Sequence, residues 1–125
     1  METTVVELRA LSESGATILN VGKHQGHREI RSAVRYRPHD LLTPDRLAIP
    51  IATEEPVVLY DEKGDGDLTA QIAEKLRANG FTDVRILRGG FAAWEATGGE
   101  TQEPSLEQVV PPMHASDVQQ LDRRI

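Results

Sequence analysis

Short β-branched or apolar runs recur along the chain, separated by polar segments in which apolar residues return every three or four positions. Val5-Val6 reads as a short first strand, followed by a helical turn or two over Glu7–Ser14. There Leu8 and Leu11 are three apart and Ser14-Gly15 ends the pattern. Thr17–Val21 (TILNV) reads as a buried strand closed by Gly22. Ser32–Tyr36 is a short candidate strand halted by Pro38. Thr43-Pro44-Asp45 has the form of a helix start, with Thr43 as N-cap and a proline in the first turn. Pro50 keeps that helix short.

Val57-Val58-Leu59-Tyr60 is the clearest buried strand, and it feeds a glycine-bearing loop. A helix starting near Asp67 then places Leu68, Ile72 and Leu76 four apart, with Ala73 beside them, and Asn79-Gly80 stops it. Val84–Leu87 is the next strand. Arg88-Gly89-Gly90 turns from it into a short helix carrying Phe91 and Trp94, which Gly98-Gly99 ends. Residues 100–112 are polar and proline-bearing, a linker or surface strap. Ala115–Arg124 is expected to form a last helix with Ser116 as N-cap and Val118, Leu121 and Ile125 on one stripe. That stripe suits a tail folded back on the domain, or a weak homodimer contact in place of a monomer. Strands alternating with helices imply an α/β layered fold, about five mostly parallel strands with helices on both faces.

With 125 residues, one domain is expected. Fourteen basic against 20 acidic residues give a formal net charge of −6, which argues against nucleic acid and anionic membranes as partners. The absence of cysteine removes disulfides, thiolate metal sites and any cysteine nucleophile. No signal peptide or transmembrane run is visible, so a cytoplasmic protein is the expectation.

A strand, a tight glycine-containing loop and a helix N-terminus together make an anion cradle of converging N–H groups. The side chains here point the other way. Asp61, Glu62, Asp65 and Asp67 set four carboxylates against the single ammonium of Lys63, around Gly64 and Gly66. The plainer reading is a solvated acidic loop, with Asp67 capping the helix and one carboxylate taking the loop N–H groups. A calcium reading, with Asp61, Asp65 and Asp67 as weak metal candidates, draws on the spacing of an EF-hand loop. It fails where Lys63 and Ile72 stand at positions that need carboxylates. A nucleotide loop lacks the third glycine and any Gly-Lys-Ser/Thr. Metal-assisted phosphate chemistry at Asp61 would need a magnesium ion and a second carboxylate pair that no motif places.

Several segments resemble a rhodanese-like domain. Leu87-Arg88-Gly89-Gly90-Phe91-Ala92-Ala93-Trp94 is similar to that family's L-x-G-G-x-x-A-W, and Gly80-Phe81-Thr82-Asp83-Val84 to its G-[FY]-x-x-V. Ile18-Leu19-Asn20-Val21 resembles L-[IL]-D-V-R, with Asn20 and Gly22 replacing the Asp and Arg. Ile30–Val34 resembles I-x-G-A-x, with Ser32 replacing a glycine. The likeness covers roughly residues 3–100, which divides the chain into a domain of residues 1–100 and a polar strap with a short helix over 101–125. It implies a sulfur-transfer or phosphatase reaction through a cysteine at the start of the loop, and that position is Asp61. A carboxylate forms no persulfide, so the resemblance implies a domain without catalysis or cofactor, reused as a binding or regulatory module for a protein or peptide.

Lys23–His39 is the second unusual stretch: Lys23, Arg28, Arg31, Arg35 and Arg37 against Glu29, with His24, His27 and His39 interspersed at no metal-ligand spacing. Local charge pairing is the simplest account of Arg28–Arg37. Parallel strands release their loops at one sheet edge, which puts Lys23, His24 and Arg88 beside the acidic loop as candidate binding residues. Phe91 and Trp94 are expected in the core.

Overall fold

The computed structural model describes residues 2–22, 28–44, 46–47, 49–64 and 66–104, and the backbone of 107–108. The elements are β1 (Glu2–Thr3), α1 (Val5–Glu13), β2 (Thr17–Asn20), β3 (Glu29–Ile30), β4 (Val34–Tyr36), α2 (Pro38–Leu42), β5 (Val57–Tyr60), α3 (Asp67–Ala78), β6 (Val84–Leu87), α4 (Gly90–Ala96), β7 (Thr101–Gln102) and β8 (Glu107–Gln108). One six-stranded sheet runs β1-β6-β5-β2-β4-β8, and each neighbouring pair in it is parallel. Five of its strands precede residue 100, and β8 adds a sixth at the edge. A separate antiparallel ribbon joins β3 to β7.

Every β5 residue is buried, and alternation sends its side chains to two cores. Val57 and Leu59 pack with Ile72, Ala73 and Leu76 of α3 and Leu41 of α2. Val58 and Tyr60 pack on the other face with Val5 and Leu8 of α1 and Trp94 of α4. This is a three-layer arrangement with helices on both sides of a parallel sheet. Each fully buried Leu, Ile or Val contributes about 1.5–3 kcal/mol.

Two expectations are corrected. Val5-Val6 opens a helix, because Thr4 and Glu7 form a reciprocal capping box (Thr4 N to Glu7 Oε1 3.2 Å, Glu7 N to Thr4 Oγ1 3.2 Å). The first strand lies just before it, where Glu2 and Thr3 pair with Ile86 and Leu87. Thr43 ends a helix instead of starting one: its N–H bonds to the His39 carbonyl at 2.9 Å. Pro38, expected to halt the preceding strand, takes the first turn of α2, and burial of Leu41 fixes that helix against the core. Past Thr43, Leu47, Ile49 and Ile51 pack on the core outside any helix.

The segment after residue 100 contributes two strands, β7 and β8. The expected helix over Ala115–Arg124, with the Val118, Leu121 and Ile125 stripe, lies outside the described residues. Among the described residues, no helix is long and apolar enough to cross a membrane.

Candidate functional site

The buried run of β5 ends at Tyr60, and Asp61 follows at the carboxyl edge of the sheet. Its half-buried carboxylate turns back into its own loop. Oδ1 accepts from Lys63 N at 3.1 Å and from Gly64 N, and Oδ2 accepts from Gly66 N at 3.0 Å and Thr69 Oγ1 at 2.7 Å. An aspartate bonding to N–H groups a few residues ahead is a local turn former. Here it extends to the first turn of α3. Gly66 is the N-cap of that helix and offers no side chain, and among the described residues no side-chain oxygen caps its first-turn N–H groups. Asp61 instead ties down the helix start through the Gly66 N–H and the Thr69 hydroxyl. The expectation that Asp67 caps α3 is thereby corrected: Asp67 is its first residue and is exposed. A carboxylate there still complements the helix dipole.

The loop is held from its other side by the turn into α4. Phe91 N and Ala92 N donate to the carbonyls of Asp61 and Glu62, each at 2.9 Å. That approach requires glycine. Gly64 (φ +78°) would set a Cβ 2.7 Å from Gly89 N, and Gly90 (φ +60°) would set one 2.7 Å from Gly64 N and against the Asp61 carbonyl.

Between this loop and the end of β2 lies a cavity of about 320 Å3. Val21 and Gly22 form one wall and Asp61, Glu62, Lys63 and the start of α3 with Leu68 the other. Val21 N bonds to the Tyr60 carbonyl at 3.0 Å. Gly22 N bonds to Asn20 Oδ1 at 3.0 Å. Asp65 lies outside the described residues. Among those described, no three His, Asp or Glu side chains come close enough to share a metal ion.

Of the basic candidates, Lys23 and His24 lie outside the described residues. Arg88 is described, and its guanidinium meets the Glu2 carboxylate at 3.3 Å while its N–H bonds to the Thr3 carbonyl. Both of these partners belong to β1, which pairs with β6. Arg28 and Arg31 engage the segment after α4: Arg28 bonds twice to Thr101, at 2.7 and 2.9 Å, and Arg31 pairs with Glu100 at 3.4 Å. Exposed pairs of this kind contribute about 0–1 kcal/mol. Trp94 is buried, with Nε1 donating to the Glu100 carbonyl at 2.7 Å. Phe91 stacks on Tyr60 with centroids 6.4 Å apart.

A buried polar network beneath the cavity has no counterpart in the motif reading. Glu29 and Asn20 are both fully buried. Asn20 Nδ2 donates to Glu29 Oε2 at 3.1 Å, and Gln102 Nε2 donates to Glu29 Oε1 at 2.9 Å. Beside them Ile30 N donates to Tyr60 Oη at 3.0 Å. Burial pushes the Tyr60 phenol well above its ordinary range, the Ile30 hydrogen bond lowers it and the Glu29 charge adds a further upward push. One signal was present in the sequence: Asn20 replaces the aspartate of the family pattern, and an amide can donate to Glu29 where a second carboxylate would repel it.

A family model for the rhodanese-like domain matches residues 4–97. No curated protein matches the chain. Among solved structures, the Alr3790 protein from Anabaena sp. is 28% identical with a TM-score of 0.67, covering 83% of this chain and 94% of that one. RPA3614 from Rhodopseudomonas palustris is 25% identical with a TM-score of 0.62, covering 82% and 85%. SseA from Escherichia coli shares the fold at 16% identity and a TM-score of 0.65, covering 98% of this chain and 61% of that one. The strand–loop–helix cradle, the three layers and this match over most of its length establish that the chain belongs to the rhodanese-like domain family, as a member without cysteine.

Proposed function

We infer that this domain is a non-catalytic binding or regulatory module that reuses the cavity beside Asp61 to meet a protein or peptide. The carrying observation is the Asp61 carboxylate, which receives Lys63 N, Gly64 N, Gly66 N and the Thr69 hydroxyl. The donors that would stabilise a thiolate or a bound oxyanion are engaged by the chain's own anion, and a carboxylate carries no sulfur. SseA is described as a sulfotransferase and RPA3614 as a possible tyrosine phosphatase. Thiolate chemistry of either kind needs a side chain this sequence lacks. The cytoplasmic setting expected from the sequence belongs to the same proposal.

The cation reading of the loop is less well supported, because both oxygens of Asp61 face hydrogen-bond donors, an environment arranged for negative charge. The test is incubation with thiosulfate and cyanide, and separately with an aryl phosphate and magnesium. No thiocyanate and no phosphate release above background is expected; either product would overturn the reading. Capture of a partner by the native chain and not by a Glu62→Gln, Asp67→Asn variant would tie binding to this edge.

A further inference from the structure

We propose that the segment carrying β7 is a strap whose docking sets the wall of the cavity beside Asp61. The strap lies beyond the residues matched by the family, yet it is built into the domain through β3. Glu29 and Ile30 pair with Gln102 and Thr101 in the antiparallel ribbon. The Gln102 amide spans the turn after β3: Oε1 accepts from Ser32 N at 2.9 Å, and Nε2 donates to the Ala33 carbonyl at 3.2 Å and to Glu29 Oε1 at 2.9 Å.

On its far side β3 meets the ends of the two strands whose loops wall the cavity. Glu29 Oε2 takes Asn20 Nδ2 at 3.1 Å, and Asn20 Oδ1 takes Gly22 N at 3.0 Å. Ile30 N reaches Tyr60 Oη at 3.0 Å, one residue before Asp61. A continuous path of hydrogen bonds therefore runs from Gln102 through Glu29 and Asn20 to Gly22 in the cavity wall.

Burial of Glu29 makes this path a switch and not a gradual spring. The carboxylate is wholly covered. Removing Gln102 takes away the amide donor on Oε1 and opens a route to water on that side, and a covered carboxylate gains by turning toward water. As Glu29 turns outward it leaves the Asn20 amide, and Gly22 loses the group that fixes Asn20. Docked and released strap are thus two discrete arrangements, and anything that holds residues 100–102 away from β3 would reshape the cavity from a distance. This coupling is a property of the fold, independent of what the cavity binds.

Amide hydrogen exchange on the full chain tests it, comparing the native protein with Gln102→Ala. Exchange at Gly22 is expected to rise about tenfold or more while Ile72–Leu76 in α3 stay protected. Faster exchange confined to residues 28–33 and 100–102, with Gly22 unchanged, would overturn the proposal. Should Gln102→Ala loosen α3 as well, Arg28→Ala provides the reading, since it frees Thr101 from outside and leaves the amide partners of Glu29 in place. It is expected to raise exchange at Gly22 by a smaller factor with α3 intact, and no rise there would overturn the coupling.

Discussion

Thr69 Oγ1 and Asp61 Oδ2 stand 2.7 Å apart, joining the first turn of α3 to the residue that follows β5. Thr69 is 3% exposed, so its hydroxyl has given up water for this contact. Asp61→Ala would strip the acceptor from three N–H groups and this hydroxyl, with an expected loss of about 1–3 kcal/mol. Thr69→Val should cost about 1 kcal/mol. The double variant should cost little more than Asp61→Ala alone, because both changes remove one shared interaction. Urea unfolding of the three variants measures this.

Asp61→Cys would place a thiol beneath the same donors. Converging N–H groups and a helix N-terminus favour a thiolate. The variant should react with iodoacetamide near neutral pH faster than a free cysteine does. Equal rates would mean that the loop donors do not turn toward a sulfur at this position.

Tyr60 predicts alkaline sensitivity. Burial raises its phenol above the ordinary value of 10.0, so between that value and the raised one the folded chain retains a proton that the unfolded chain has lost. The unfolded state binds fewer protons there, and stability falls as pH rises above about 10. Tyr60→Phe should flatten that fall. It should also cost about 1–3 kcal/mol at neutral pH by leaving the buried Ile30 N–H without its acceptor. Thermal melts from pH 7 to 11 separate the two effects.

Ser32 holds φ at +72°, where a side chain costs about 1–2 kcal/mol. Ser32→Gly keeps the N–H that Gln102 accepts and relieves the strain, less the extra freedom glycine gives the unfolded chain. A gain of about 0.5–1 kcal/mol is expected, read as a raised denaturation midpoint.

The segments that were legible in the sequence are those whose signals are local. β5, the loop and α3 announce themselves through a buried apolar run, glycines and four-residue spacing, all between Val57 and Leu76. Asp61 was legible as the residue at the mouth of the loop for the same reason. The tie between the loop and the start of α3 was not, because Asp61 reaches it from five residues before the N-cap, through the Gly66 N–H and the Thr69 hydroxyl. At Pro38 one residue type allows two outcomes, strand stop or helix start, and only the burial of Leu41 decides between them. Thr4 and Glu7 did spell out a capping box, and the β-branched Val5-Val6 masked it. The role of Glu29 was out of reach, since its partner Gln102 is 73 residues away and a lone acid in a basic stretch looks like a surface residue.

The family match stops at residue 97, while Trp94 Nε1 and Arg31 N both bond to the Glu100 carbonyl, at 2.7 and 3.0 Å. A fragment trimmed to the family boundary would keep α1 to α4 and still forfeit the acceptor of its only indole and an amide donor to its covered carboxylate. The unit that can be transplanted, crystallised or fused intact therefore extends at least through Gln102, a few residues longer than homology would lead one to cut.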